Sequence, residues 1–323
     1  AVVLILCVAV GGGILSAGWR PTSPGSERYV RLGRQMSLNQ ALIDLESEGI
    51  VRDAKAARIY AKWKKAPGIV EAGTYALKPG MSLDEVFASL RKPIRQMVRI
   101  PEGWWITRVA ERLEEKGVCS ASEYVALASD GKEFQDEVSF PLPEGSLEGY
   151  LFPDTYDLPP LLGARETILR QLQAFEEKVW PELASHPDPQ KVLTKASMVE
   201  LEAALDRERA MVAGVIENRI RKGMRLEIDA TVLYQLGEWK VLGPGQVRKI
   251  EGPYNTYLNA GLPPGPIGSP GLASVKGALR PARHNYLFYV ARPDRSHYFS
   301  ATYPEHQAFI RKARLEREAA SQS

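Results

Sequence analysis

A mixed α+β fold is what this sequence predicts, and three observations carry the prediction. An uncharged apolar stretch fills residues 1–19, a strand-then-helix pattern occurs twice at a constant offset of 68 residues, and helical periodicity between Arg165 and Lys222 gives way to strands and Gly/Pro loops. The chain has 323 residues, enough for about two domains. At 44% hydrophobic and 25% charged it is neither disordered nor a fibrous repeat. Forty-two Lys and Arg stand against 39 Asp and Glu, a net charge of +3 that sets nucleic acid aside, because phosphate contacts need a concentrated basic face. Two cysteines, Cys7 and Cys119, cannot form a disulfide framework.

Residues 1–19 carry no charge, and Ser16 is their one conventional polar residue. About 19 residues at about 1.5 Å rise nearly cross a bilayer core of about 30 Å, so the segment is read as a retained membrane anchor. Of the two alternatives, a buried terminal helix lacks its polar stripe, and a cleaved signal peptide has only a fair cleavage site in Ser16-Ala17-Gly18. Leu6 directly before Cys7 argues against lipidation. Arg20, Arg28, Arg31 and Arg34 would by the positive-inside tendency hold the soluble part of the chain in the cytoplasm. Residues upstream of Ala1 could carry the competing charge, so this bias weighs little.

Residues 20–28 form a Pro/Ser/Gly linker. The first copy of the repeat then reads Val30, Leu32, Leu38, Leu45, Gly49, Ile50, and the second Val98, Ile100, Ile106, Leu113, Gly117, Val118. Each is an alternating apolar strand, a turn (Gly33-Arg34-Gln35, then Pro101-Glu102-Gly103) and a helix closed by glycine. Between them Ala72 to Leu77 is a strand, and Lys78 to Ser82 turns into a short amphipathic helix. We assign residues 29–140 to this module, which serves either as a spacer or as a glycan-contacting unit.

Residues 145–318 form the second domain. It opens on Leu147 to Tyr156, a loop whose density of aromatic and acidic residues suits one facing a ligand or another domain. Next come a charged helix from Arg165 to Lys178, a Pro-rich break at Pro181 to Pro189, and helices Lys191–Ala204 and Glu208–Lys222.

Several chemistries are disfavoured. His186, His284, His297 and His306 stand in no metal-binding spacing, and no metal or cofactor is expected. No Gly-x-Ser-x-Gly occurs. The loop Gly261 to Gly271 holds four prolines, each lacking the N–H that a phosphate cradle uses, and reads as a rigid cleft border. Carboxylates remain. In Lys195-Ala196-Ser197-Met198-Val199-Glu200-Leu201-Glu202-Ala203 the two glutamates lie about 200° apart on the wheel, too far for a close pair. The wheel slightly favours Glu200 for the interior, where burial raises a carboxyl pKa as a general acid near neutral pH requires.

That run, with Glu208-Arg209, Asn218-Arg219, Lys222 to Leu226, Asp229-Ala230-Thr231-Val232, Pro253 to Tyr257 and Gly261 to Ile267, resembles the endolytic murein transglycosylases of the MltG (YceG-like) family. Glu148 to Tyr156 and the unit from Val30 to Leu90 match in the same order. The resemblance implies a single-pass inner-membrane protein, with a LysM-like module and a catalytic domain outside the cytoplasm. It puts the catalytic acid at Glu202, overruling the wheel and leaving Glu200 second. It carries Glu148, Tyr150, Asn218, Asp229, Tyr254 and Asn255 over as substrate-binding residues. Ala230 departs from the proline usual after this aspartate, and residues 237–252 match poorly.

The implied reaction is non-hydrolytic cleavage of the MurNAc–GlcNAc bond of nascent peptidoglycan strands, leaving 1,6-anhydroMurNAc ends and ending strand elongation. Cell-wall synthases are the implied partners. A non-catalytic peptidoglycan scaffold for those synthases is the alternative. A muramidase pairing Glu202 with Glu148 or Asp229 is a third.

Overall fold

The computed structural model describes residues 17–243 and 245–321. The expected anchor falls outside the described residues except for Ala17 to Trp19, and among the described residues no helix is long and apolar enough to cross a membrane. The chain divides into two compact units, and the mixed α+β class predicted from the sequence is the class observed.

The first unit runs to Val98 and adds Glu114–Cys119 and Asp157–Gly163. Strand β1 (Arg28–Leu32) pairs antiparallel with Gly73–Leu77, Val30 opposite Tyr75. A shorter pair joins β2 (Met36–Ser37) to Ile69–Val70. Helix α1 (Leu38–Ser47) starts where the Ser37 hydroxyl accepts the Gln40 N–H at 3.2 Å, and it buries Leu38, Ala41, Leu42 and Leu45 at helical spacing. Gly49, at φ +68°, ends it. Helix α2 (Ala54–Trp63) presents a face of Ala54, Ala57 and Ala61 to the same core. Strands β3 (Ile69–Val70) and β4 (Gly73–Leu77) lead to helix α3 (Leu83–Ser89), which opens on a Ser82–Glu85 capping box. Trp19 closes one edge of this core, its indole N–H donating to the Ala56 carbonyl at 2.8 Å.

The repeat is visible in the backbone. Strand β5 (Met97–Arg99) precedes helix α4 (Ile106–Glu115) as β1 precedes α1, and Gly117 at φ +67° matches Gly49.

The second unit takes Arg99–Leu113, Ser120–Tyr156 and everything from Ala164. Helix α5 (Ala121–Ala128), strand β6 (Thr155–Asp157), helix α6 (Ala164–Lys178) and the short α7 (Trp180–Leu183) come first. Helix α8 (Pro189–Glu202) then starts two residues earlier than the sequence suggested, because Asp188 caps it and Pro189 occupies its first turn. Helices α9 (Asp206–Arg221), α10 (Asp229–Leu236) and α11 (Leu272–Leu279) pack around α8. Gly277 lets α11 approach α9 closely; a Cβ there would lie 3.0 Å from that of Arg209. Strands β7 (Phe288–Ala291) and β8 (His297–Ser300) form an antiparallel hairpin, and α12 (Tyr303–Ala320) comes after it with a Thr302–Glu305 capping box. Met198, Val199, Ala203, Val212, Ile216, Leu226, Ile228 and Ile267 form the core beneath the glutamates.

Candidate active site

Helix α8 buries every residue from Val192 to Val199, then stops. Its last turn therefore carries Glu200 and Glu202 from the core to a surface, with Ala203 already extended at φ −98°, ψ 102°. A carboxyl at this end also meets the negative pole of the helix dipole, which favours its neutral form.

Glu202 faces a hollow of about 290 Å³ lined also by Asp229, Arg219, Tyr257, Tyr289 and His306. The Tyr289 hydroxyl donates to Glu202 Oε2 at 2.8 Å. Burial raises the Glu202 pKa above the usual carboxyl range, and the Asp229 charge adds to this; the Tyr289 hydrogen bond, His297 and Arg219 oppose it. Asp229, exposed at the start of α10, accepts the Tyr257 hydroxyl at 2.6 Å. Behind Tyr289, the side chains of His297 and Glu208 are only 6% and 11% exposed and bond Nδ1 to Oε2 at 2.8 Å. The imidazole meets the Tyr289 ring edge-on, with centroids 5.4 Å apart. Glu208 thus braces the hairpin that carries Tyr289.

Glu200 lies in a different, larger hollow of about 560 Å³, with Glu102, Arg99 and Arg209. Its Oε1 accepts Arg209 Nη1 at 2.9 Å, with the two side chains 7% and 8% exposed, and its Oε2 accepts the Gly271 N–H at 2.9 Å. It ties helix α8 to α9 and to the Gly/Pro loop. Ser197 makes the second tie to that loop, accepting the Ile267 N–H at 3.0 Å.

Of the remaining sequence candidates, Asp229 alone lines the Glu202 hollow. Glu148 is buried, accepts the Ile106 N–H at 3.1 Å at the start of α4 and the Tyr234 hydroxyl at 3.3 Å, and leaves Oε1 without a partner. Burial pushes its pKa up to about 8, which favours its neutral form. Tyr150 is a core residue, its ring centroid 5.4 Å from that of Phe175. Asn218 donates Nδ2 to the His284 and Tyr286 carbonyls, each at 2.9 Å, and borders a separate hollow with His284. Asn255 is fully buried, donating to the Val247 and Ile250 carbonyls at 2.7 and 2.6 Å. Its Oδ1 accepts the Tyr257 N–H at 2.9 Å, so it positions the ring that reaches Asp229. Tyr254 packs on Tyr234 with centroids 4.8 Å apart.

Tyr289 and His306 are side chains in the hollow that sequence patterns did not select. Their one local signal is the continuous apolar run of β7 around Tyr289 and the Thr302–Glu305 helix start before His306.

The family model described as the YceG-like family matches residues 30–312. A protein named endolytic murein transglycosylase from Bacillus subtilis is 32% identical over 281 residues, covering 81% of this chain and 78% of its own length. One of the same name from Streptococcus pneumoniae is 28% identical over 307 residues, covering 84% of this chain, and the chain spans 56% of its length. A crystal structure of a YceG-like protein from Listeria monocytogenes, 30% identical, superposes with a TM-score of 0.57 over 88% of this chain and 99% of that one. This chain belongs to the YceG-like family.

Proposed function

We propose that the chain is a peptidoglycan lytic transglycosylase that cleaves the MurNAc–GlcNAc bond, with Glu202 as its single acid and base. The observation that carries the proposal is a half-buried carboxyl with raised pKa in a polar hollow, held on one oxygen by Tyr289. Its relatives' shared name supports the reaction class.

Because Tyr289 occupies Oε2, Glu202 carries its transferable proton on Oε1. That proton goes to the oxygen linking MurNAc C1 to GlcNAc, and the C1–O bond breaks through an oxocarbenium-like state. The Asp229 carboxylate in the same hollow stabilises the positive charge. The MurNAc C6 oxygen then attacks C1, and its proton returns to Glu202 Oε1. Atoms balance without water, and no second carboxylate need act as nucleophile. The Tyr289 hydrogen bond serves the first half, since it favours the ionised carboxylate left when this proton is given up.

The same reading extends to the whole chain. Residues 1–19 anchor it in the plasma membrane, residues 29–140 form a LysM-like module, and residues 145–318 act outside the cytoplasm on nascent strands, ending their elongation beside the synthases. A periplasm-active reporter fused after Ser323 tests the orientation, and its inactivity would refute it.

One observation favours a second reading: Asp229 shares the hollow with Glu202, as a two-carboxylate muramidase requires. Digestion of purified sacculi separates the two. Products one water lighter than reducing-end muropeptides support the transglycosylase, and reducing ends would replace it with the hydrolase.

A further inference from the structure

The Glu202 hollow contains several hydrogen-bond donors, and most are spent on the protein itself. Tyr289 gives its hydroxyl to Glu202, and Tyr257 gives its own to Asp229. Arg219 gives Nε to the Leu287 carbonyl at 2.6 Å, and Nη1 to the Leu226 and Arg225 carbonyls at 2.6 and 3.3 Å. The Glu227 and Asp229 carboxylates lining the same space can only accept, and the proton of Glu202 is committed to the bond that breaks. A glycan bearing N-acetyl carbonyls and ring oxygens needs donors from the protein.

His306 differs from these groups. It lines the same hollow, and its ring stacks on Phe288 with centroids 5.1 Å apart and planes at 20°. Its Nδ1 is buried without a hydrogen-bond partner. The residue stands in the first turn of α12, where the Thr302–Glu305 capping box fixes the start of the helix. Burial and the Arg219 charge lower its pKa below the usual imidazole value, so the ring is neutral and carries one proton on two nitrogens. A proton on the sealed Nδ1 would bury an unpaired donor; the other tautomer leaves only a lone pair there. The proton therefore sits on Nε2, the nitrogen not sealed in the protein.

We infer that His306 is a substrate-contacting residue whose Nε2–H donates to an acceptor oxygen of the glycan bound over Glu202, while the Phe288 stack holds the ring in place. The inference rests on the glycan-cleaving function proposed above. It assigns His306 to binding, so its loss acts on affinity more than on turnover.

The test is affinity of the full chain for a tetrasaccharide of alternating GlcNAc and MurNAc, in a Glu202→Gln background that prevents cleavage. His306→Phe keeps the ring stack and removes the donor; affinity should fall about three- to tenfold, the effect of one neutral hydrogen bond. His306→Gln keeps a donor and should stay within about twofold of the parent. Unchanged affinity in His306→Phe would overturn the inference and leave the proposed function standing. An equal loss in both variants together with a lowered Tm would also overturn it, by making His306 purely structural. No binding by the Glu202→Gln parent would overturn the glycan reading itself, and this inference with it.

Discussion

Two hollows meet the last turn of helix α8, and the two glutamates that enter them are opposites. Glu200 is met by a guanidinium at 2.9 Å and a backbone N–H at 2.9 Å, so both its oxygens are compensated. Glu202 is met by one neutral hydroxyl at 2.8 Å and shares its hollow with a second carboxylate. Consecutive residues of α9 make the difference. Arg209 turns to Glu200, whereas Glu208 turns away to pair with His297 and steady Tyr289. Two positions of the same residue type thus become a structural clamp and, under the proposed function, the acid, through what faces them. The larger hollow belongs to the clamp, and the smaller one holds Glu202, whose pKa is raised.

The hardest way to break this comparison is to exchange the glutamates' roles by mutation. Glu202→Gln should lower turnover by about 10²- to 10⁴-fold, the usual worth of general acid–base catalysis, with Tm nearly unchanged because the amide still accepts from Tyr289. Glu200→Gln should do the reverse. It leaves Arg209 with the exposed Asp206 carboxylate as its remaining anionic partner and should cost about 1–3 kcal/mol of stability, read as a lower Tm, with anhydro ends still made by each folded molecule.

Two smaller changes sharpen it through the pH profile. General-acid action requires protonated Glu202, so kcat/KM falls as pH rises through its pKa. Tyr289→Phe removes a bond that favours the ionised form; the basic limb should move to higher pH, with kcat down about tenfold. Asp229→Asn removes a neighbouring negative charge, and the limb should move to lower pH. Shifts of the same sign in both variants would contradict this electrostatic account.

The smallest effect on the reaction belongs to Glu148, whose folded pKa of about 8 lies above its ordinary value. A carboxyl raised in the folded state contributes stability that is complete below about pH 4 and is lost as pH rises through its folded pKa. Glu148→Gln should therefore raise Tm more at pH 8 than at pH 5, without moving the profile of the reaction.

The sequence made the local structure of this region legible and its long-range partners invisible. Apolar spacing located α8 and α9 to within two residues, and the glycines at 49 and 117 closed both copies of the repeat as expected. The helical wheel placed Glu200 inward, and its side chain is indeed only 7% exposed. A wheel cannot show Arg209, nine residues on, which compensates that burial. Nor can it show Tyr289, 87 residues after Glu202, or His306 beyond it, because both arrive through the packing of the hairpin and α12. Asn218, Asn255 and Tyr150 are polar or aromatic residues that spend their groups on the fold, which only partner and burial can reveal. The exchange of segments 114–119 and 157–163 into the first unit is likewise a property of contacts far apart in the chain.

The most direct test sets the two glutamates side by side. Purified sacculi are digested with equal amounts of folded wild-type, Glu200→Gln and Glu202→Gln protein, and the released muropeptides are weighed. The account predicts 1,6-anhydro ends from the wild type and Glu200→Gln and none from Glu202→Gln; anhydro ends that persist in Glu202→Gln and vanish in Glu200→Gln would contradict it.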